Sequence, residues 1–249
     1  SFSRERAPSF PVGDLSGQTY ENDGLNNNLG FMVSDTGVLV INTGPSARVA
    51  RALHAAIRKI TAQPVKWVVN VNSQNHYWLG NGYFKSLCAT VLASNEAERV
   101  MREMCAQQLS ANKALLKEKA DGTVLTYPTE LTADKRELKL GKTTVQLLHF
   151  GPAHTPGDLA VWLPQQKILF AGDIVYTERL LAVLPIGNSA NWVQAFDKLV
   201  ALNPKMIIPG HGRPTTIEVA RRDTRDYLSF LRAEAKRVLD AGGSLQDAV

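Results

Sequence analysis

The sequence predicts one α/β domain over residues 18–249, preceded by an irregular arm at residues 1–17. Short apolar strand patterns and amphipathic helical patterns are mixed along the whole of this region. No linker, low-complexity segment or clear internal repeat interrupts them. Hydrophobic residues make up 44% of the chain and charged residues 20%, which is typical of an ordinary globular protein.

The predicted strands are short and are separated by turns that contain glycine, proline or asparagine. Asp35-Thr36-Gly37 is typical of a hairpin turn, so the two strands that flank it are expected to pair. In chain order, the predicted strands are residues 18–21, 30–34, 37–42, 65–71, 90–93, 131–132, 137–140, 143–150, 160–163, 167–171 and 206–208.

Four helices are predicted from apolar residues that recur at helical spacing. Ser94 is the expected N-cap of the second helix, and His54 on the first is expected to be a boundary residue and not a ligand. The predicted buried stripes are Val49, Leu53, Ile57 and Ile60; Val100, Met101, Met104, Cys105 and Leu109; Trp192, Phe196, Leu199 and Val200; and, within residues 216–239, Ile217, Tyr227, Leu228, Leu231 and Leu239.

The composition argues against several classes of protein. The net charge of +5 is scattered along the chain, so we do not expect nucleic-acid binding. No apolar run reaches the ~18 residues that a membrane span needs. Cys88 and Cys105 form no C-x-x-C pair, which disfavours a structural zinc site and leaves one disulfide or two buried free thiols open. Because the chain begins at Ser1 and not at Met, a removed leader and export to the periplasm are one expectation, and a cytoplasmic location is the other.

A cluster of polar residues follows a buried strand within residues 66–84. Its members are Asn70, Asn72, Gln74, Asn75, His76 and Tyr77. Three later stretches also combine a strand end, a glycine-containing turn and a side chain that can bind metal. These stretches are residues 150–158, 170–173 and 207–212, and they carry His154, Asp173 and His211. Together they predict a site built from strand-end loops.

Five segments resemble, in order and spacing, the metallo-β-lactamase superfamily. They are residues 27–33, 40–44, 154–158, 171–173 and 209–212, and the resemblance covers roughly residues 18–215. It implies an αββα four-layer sandwich of two mixed β-sheets with helices on the outside. It also implies a metal site at one edge, where loops from both halves meet.

The chain departs from the family pattern at the first metal motif. Where the family has H-x-H-x-D-H, this sequence has Asn72-x-Gln74-x-His76-Tyr77. Asn42 also replaces an aspartate that supports the ligands in the family. An amide oxygen is a poor zinc ligand beside imidazole, so the family's first metal site is expected to be weak or absent.

The resemblance then implies a site for one divalent ion, with zinc as the first candidate and iron as the alternative. The expected ligands are His76, Asp173 and His211, which leave a position open for water. His154 is expected either as a fourth ligand or beside the bound water. A decayed, metal-free site is the competing interpretation, because three histidines and the aspartate of the family motifs are missing.

The first functional hypothesis is a metal-dependent hydrolase that acts on a small molecule. The metal would lower the pKa of a bound water to about 7, and the resulting hydroxide would attack an ester, thioester or lactam carbonyl. Asp173 or His154 would carry the proton. The expected substrate-binding residues are Asn72, Gln74, Tyr77 and Trp78.

The second hypothesis is a non-catalytic protein that binds a small molecule in the same pocket. Asn72 and Gln74 would supply hydrogen bonds, and residues 180–184 would line the pocket together with Tyr77 and Trp78. The altered motif also looks like that of metallohydrolases associated with periplasmic quinoprotein systems. Nucleic-acid processing, which uses an added domain in this superfamily, is disfavoured because no such insertion fits within 249 residues. Protein partners stay open.

Overall fold

The computed structural model describes residues 18–244, so the predicted arm at residues 1–17 lies outside the described residues. The described strands are β1 (Gly30–Ser34), β2 (Gly37–Ile41), β3 (Val65–Val69), β4 (Thr90–Ser94), β5 (Glu130–Thr132), β6 (Lys135–Leu140), β7 (Thr143–His149), β8 (Leu159–Leu163), β9 (Ile168–Tyr176) and β10 (Met206–His211). The α-helices are α1 (Ala47–Arg58), α2 (Asn75–Trp78), α3 (Asn81–Ser86), α4 (Asn95–Leu116), α5 (Ser189–Val200), α6 (Ile217–Ala220) and α7 (Tyr227–Asp240). A 3₁₀ turn, Lys117–Ala120, follows α4, and a π-helical segment, Arg221–Asp226, joins α6 to α7.

The first sheet has the strand order β1-β2-β3-β4-β5. β1 and β2 form the predicted hairpin, in which Gly30 lies opposite Ile41 and Ser34 lies opposite Gly37. From β2 to β5 all neighbouring strands are parallel. The loops that follow β2, β3 and β4 therefore leave the sheet at one common edge.

The second sheet has the order β10-β9-β8-β7-β6. Its strands β6 to β9 pair antiparallel, whereas β10 runs parallel to β9. The backbone N–H of Leu159 donates to the carbonyl of Val71 over 2.9 Å. This bond ties the start of β8 to the loop after β3, so the functional loops of both sheets meet at the same end of the molecule.

Apolar side chains of the two sheets pack against each other in the centre of the fold. This layer contains Leu39, Ile41, Val69, Val71, Tyr77, Leu92, Leu138, Leu140, Val145, Leu147, Leu159, Val161, Leu163 and Phe170. On the outer face of the first sheet, α1 buries Val49, Leu53 and Ile57. On the outer face of the second, α5 buries Trp192, Phe196 and Leu199. The predicted four-layer α/β sandwich is confirmed.

Two of the sequence predictions are wrong near the start of the described chain. Residues 18–21 form no strand, because Asn22 Oδ1 accepts the backbone N–H groups of Thr19 (2.9 Å) and Gly24 (3.0 Å) and closes a turn. Ile60 is not part of the buried stripe of α1. The helix ends at Arg58, and Ile60 beyond it is 50% exposed.

The predicted helix at residues 216–239 is interrupted by the π-helical segment. Thr224, inside that segment, accepts the N–H of Tyr176 (2.9 Å) and donates its hydroxyl proton to the carbonyl of Tyr176 (2.6 Å). The wider turn thus brings a buried hydroxyl to the backbone of β9. Beyond it, Leu231 and Leu239 are 36% and 66% exposed and do not belong to the buried stripe.

Cys88 and Cys105 are both free thiols and form no disulfide, but the prediction that free thiols would be buried is wrong, because neither is fully buried. Cys88 is exposed, and the thiol of Cys105 lies 3.3 Å from the carbonyl of Arg102 in the preceding turn of α4. Among residues 18–244, no helix has both the length and the apolar character that crossing a membrane requires.

Candidate metal centre and active site

Four predicted side chains come together where the loops of the two sheets meet. His76 lies on α2, His154 in the turn after β7, Asp173 within β9, and His211 at the end of β10. All four are buried. The potential ligand atoms of His76, Asp173 and His211 lie within 4.8 Å of one another. His154 stands outside this three-residue cluster, with Nε2 3.5 Å from Asp173 Oδ2.

Two glycines allow the backbone to approach this closely. A Cβ atom on Gly210 would lie 2.0 Å from Asp173 Oδ1 and 2.8 Å from the hydroxyl of Tyr77. Gly172 has a φ of +54°, which favours glycine, and β9 and β10 shift register next to it. These glycines therefore admit the carboxylate of Asp173 beside the turn that carries His211.

Asn28 holds the turn that carries His211. Its side-chain Nδ2 donates to the carbonyls of Pro209 and Gly212, both over 2.8 Å. Its backbone N–H donates to the carbonyl of Gly210 over 2.9 Å. Three bonds from one residue thus fix the turn before and after the histidine, which keeps its imidazole in one place.

The ring of His211 presents a free nitrogen to Asp173. Its Nδ1 lies 2.6 Å from the backbone oxygen of Asn26, so we assign the ring proton to Nδ1 and the lone pair to Nε2. Nε2 is 3.3 Å from Asp173 Oδ1. Both of these atoms are then acceptors, and they repel each other unless a proton or a cation lies between them.

His76 also has a ring nitrogen available. Its Nδ1 lies 3.0 Å from Asn75 Oδ1. Its Nε2 is buried and has no hydrogen-bond partner among residues 18–244. A buried polar atom without a partner costs free energy unless something binds to it.

The three-residue cluster fits a divalent metal ion. In a tetrahedral zinc site, ligand atoms about 2.0–2.1 Å from the ion lie about 3.3 Å apart. The separation between His211 Nε2 and Asp173 Oδ1 has this value, and a ring nitrogen of His76 lies within 4.8 Å of both atoms. An ion here would also satisfy the unpaired His76 nitrogen and separate the two facing acceptors.

Tyr77 and Asn72 position the carboxylate of Asp173. The Tyr77 hydroxyl donates to Oδ1, and Asn72 Nδ2 donates to Oδ2 over 3.1 Å. Asn72 Nδ2 also donates to Asp158 Oδ1 over 2.8 Å. Both side chains are fully buried, so their polar atoms face Asp173 and not the open pocket that we expected them to line.

Gln74 is the half-buried member of the four predicted substrate-binding residues. Its Oε1 lies 3.0 Å from His154 Nε2, and its backbone N–H donates to Asn72 Oδ1 over 2.8 Å. The hydroxyl of Tyr176 is 3.4 Å from the same His154 nitrogen. Gln74 and His154 thus form a polar pair next to the metal-ligand cluster.

Trp78 lies away from this pair. It is fully buried, and its indole N–H donates to Gln108 Oε1 over 2.8 Å. Its ring stacks on Tyr127 with centroids 5.6 Å apart, in a small apolar cluster with Met101 beneath α4. Trp78 therefore packs the core, and we do not include it among the residues proposed to contact a substrate.

Burial dominates the electrostatics of the site. It lowers the pKa of His76 well below the ordinary value, and the neighbouring His211 and His154 lower that pKa further. Burial also lowers the pKa values of His154 and His211, and it raises the pKa of Asp173. The imidazoles are therefore neutral near pH 7, which is the form that binds metal.

Asp158 is a site residue that the sequence reasoning missed. Burial raises its pKa to about 6. Its carboxylate accepts the Thr155 N–H (2.8 Å), the Thr155 hydroxyl (2.6 Å) and the Asn72 amide. Asp158 ends one of the five segments that resemble the family, but the motif alone did not indicate a role for its carboxylate.

Asn26 and Arg179 were missed as well. Asn26 supplies the carbonyl that orients His211, and Nη1 of Arg179 lies 3.2 Å from His211 Nδ1. Every residue has a backbone carbonyl, so the side chain of Asn26 does not indicate that its carbonyl contacts His211. Arg179 is one of many arginines in the chain, so neither contact could be recognised before folding.

Known proteins resemble this chain in sequence and in fold. A family model for the metallo-beta-lactamase superfamily matches residues 22–211. The chain is 21% identical over 245 residues to the linear primary-alkylsulfatase of Pseudomonas sp. (strain ATCC 19151), which covers 83% of this chain and 46% of that protein. It is 22% identical over 240 residues to the 2,4-dinitroanisole O-demethylase subunit alpha of Nocardioides sp. (strain JS1661), which covers 95% of this chain and 67% of that protein.

A solved structure shares the fold. The metallo-beta-lactamase from Pontibacter korlensis superposes with a TM-score of 0.69 at 20% identity, over 82% of this chain and 87% of that chain. The chain spans less than half the length of the alkylsulfatase that it matches.

Proposed function

Because the chain belongs to the metallo-beta-lactamase superfamily, we propose that it is a metal-dependent hydrolase with a mononuclear site. The bond to be cleaved is an ester, thioester or lactam of a small molecule. One observation carries the proposal: the unpaired, buried Nε2 of His76 lies beside the facing acceptors of Asp173 and His211. Such a group of atoms is stabilised by a cation.

His76, Asp173 and His211 would hold one divalent ion, with zinc as the first candidate and iron as the second. When bound, such an ion supplies a Lewis acid that polarises a carbonyl and makes a nearby water more acidic. Tyr77 and Asn72 keep the carboxylate of Asp173 in one orientation through a bond to each of its oxygens.

His154 is the residue to which we assign proton transfer. Its imidazole is neutral near pH 7 because burial lowers its pKa, so one ring nitrogen can accept a proton. Nε2 donates to Gln74 Oε1 over 3.0 Å, which orients the ring and leaves the lone pair on Nδ1, a buried atom with no hydrogen-bond partner among residues 18–244. Asp173 is better suited as a ligand than as the proton carrier, since both of its oxygens already accept hydrogen bonds.

The test combines metal analysis with hydrolysis assays. We expect protein purified without added metal to contain close to one ion per chain, and to hydrolyse at least one of a chromogenic β-lactam, a nitrophenyl ester and an acyl thioester. His211→Ala should lose both the ion and the activity, because two remaining ligands hold a divalent ion weakly. His54→Ala is the matched control, since His54 lies on α1 and contacts Tyr83.

A metal-free wild type whose melting temperature does not change with a chelator would contradict this proposal. The alternative, a protein that binds a small molecule without catalysis, would then take its place. The same measurement thus separates the two functions before any substrate is known.

A further inference from the structure

The loop at residues 73–78, called here the His76 loop, contains only one short helix. This helix, α2, has four residues. A single helical turn is not stable by itself in water, so contacts with the rest of the fold must hold it. Inside the loop, the Tyr77 N–H donates to the Gln74 carbonyl over 2.9 Å. The positions of His76 and Tyr77 therefore depend on what lies against the loop.

Gln108, on α4, binds both ends of the His76 loop. Its Nε2 donates to the backbone carbonyl of Ser73 over 3.0 Å, and its Oε1 accepts the indole N–H of Trp78 over 2.8 Å. A carbonyl oxygen only accepts and an indole N–H only donates, so a single orientation of the amide satisfies both partners. One side chain thus joins the first residue of the loop to the last, and His76 lies between them.

Trp78 is held firmly at its end of the loop. It is fully buried, and its ring stacks on Tyr127 at an interplanar angle of 25°. The guanidinium carbon of Arg102, also on α4, lies 4.2 Å from the centre of the Tyr127 ring. The indole N–H has no acceptor other than Gln108 among residues 18–244, so loss of this amide removes a partner on which a buried donor depends.

Helix α4 is also anchored to the turn that carries His154. Ser94 Oγ donates to the carbonyl of Gly157 in that turn over 2.7 Å and accepts the Ala97 N–H over 3.0 Å. A Cβ atom on Gly157 would lie 2.1 Å from the Ala97 nitrogen, so the turn and the helix are in direct contact. A single helix of 22 residues therefore contacts both the His154 turn and the His76 loop.

We propose that Gln108 is a positioning residue of the candidate metal centre. By binding both ends of the His76 loop, it places His76 and Tyr77 beside Asp173. It acts through the loop and not by contact with the proposed ligands. The link to metal binding rests on the proposed function, whereas the hold on the loop can be measured in metal-free protein.

The first experiment measures hydrogen exchange in metal-free protein by NMR. The amide proton of Tyr77 is bonded to the Gln74 carbonyl, so its exchange rate reports how often the loop opens. Gln108→Ala should raise this rate about 5- to 100-fold, the range for the loss of two hydrogen bonds, and leave the amide protons of β7 and β8 nearly unchanged. An unchanged rate at Tyr77 would overturn the proposal. Equal increases at Tyr77 and in both strands would also overturn it, since general destabilisation would then explain them.

Gln107→Ala is the matched control, because it makes the same substitution at the neighbouring, exposed position of α4. It should leave the exchange rate of the Tyr77 amide at the wild-type value. Gln108→Met keeps the length of the side chain and removes both hydrogen bonds, so it should behave like Gln108→Ala. A wild-type rate in Gln108→Met would overturn the proposal, because packing alone would then hold the loop.

The second experiment measures zinc affinity by competition with a chromophoric chelator, at a temperature where all variants are folded. Gln108→Ala should bind zinc about 10-fold more weakly than wild type, the lower end of the range for groups that orient a metal ligand. Gln107→Ala should bind zinc as tightly as wild type. A lower Tm of Gln108→Ala with unchanged zinc affinity would contradict a role at the metal centre. If wild type binds no zinc, the hydrolase proposal fails, and the exchange measurement alone decides whether Gln108 holds the loop.

Discussion

Removal of the Tyr77 hydroxyl tests whether Asp173 is held in place by its hydrogen bonds. Tyr77→Phe deletes one donor to Asp173 Oδ1, the oxygen that also lies 3.3 Å from His211 Nε2. The aromatic ring stays in the central layer between the sheets, so no cavity forms. The variant therefore isolates one hydrogen bond from the packing around it.

The expected loss follows from the burial of both partners. Groups that orient a metal ligand typically contribute a factor of about 10–100 to metal affinity, which is about 1.4–2.7 kcal/mol. Asn72 still donates to Oδ2, so the carboxylate is not left without any donor. For stability, loss of a bond to a buried charged group costs about 1.5–3 kcal/mol, which lowers Tm by on the order of 5 °C in a chain of this length.

The assay is competition for zinc with a chromophoric chelator, together with thermal unfolding in the presence and absence of excess chelator. Tyr83→Phe is the matched control, because its hydroxyl binds His54 far from the cluster. Tyr77→Phe protein that binds zinc as tightly as wild type would refute the idea that Tyr77 positions a ligand. A lower Tm with unchanged affinity for zinc would mean that the Tyr77 hydroxyl contributes to stability alone.

Three further predictions concern other groups at the site. His76→Asp should retain metal whereas His76→Ala should lose it, because a carboxylate can replace the imidazole as a ligand; elemental analysis of both proteins decides this. Gly210→Ala should abolish metal binding and lower Tm, because the added Cβ would lie 2.0 Å from Asp173 Oδ1; a wild-type melting curve and metal content would contradict the crowding argument. Asp158 binds a proton more tightly in the folded than in the unfolded protein, since burial raises its pKa to about 6. As the pH rises from about 4 to about 6, wild type should therefore lose about 2 kcal/mol of unfolding free energy relative to Asp158→Asn, measured by urea unfolding at several pH values; a constant difference would argue against an elevated pKa.

The architecture was largely predictable because both sheets are built from short apolar runs. Such runs are visible in the sequence wherever a strand is buried on both faces, as in β2 and β8. The prediction of a strand at residues 18–21 is wrong because hydrogen bonds to the side chain of Asn22 close a turn. The spacing of apolar residues does not indicate such a turn. β9 runs past its predicted end at residue 171 to Tyr176, since pairing with β10 extends it.

The metal-ligand candidates could be named from motifs, but the roles of their neighbours could not. Tyr77 and Asp173 are 96 positions apart, and Asn72 and Asp173 are 101 apart. Side-chain chemistry identifies a tyrosine and an amide as possible ligand-binding groups. Side-chain chemistry does not predict that Tyr77 and Asn72 both donate to the carboxylate of Asp173. Those contacts depend on the register of the strands and on glycines that let the backbones approach.

The hydroxyl of Thr224, in the segment just before α7, makes hydrogen bonds with the backbone of Tyr176 in β9. Helix α7 carries only two buried residues, Leu228 and Val238, so it is expected to open and close more often than the sheets do. Each opening that reaches Thr224 frees the amide proton of Tyr176, three residues from Asp173. Exchange of that single proton with solvent deuterium would therefore report how often the terminal helix releases the strand that carries the carboxylate, and binding of an ion at Asp173 should slow it.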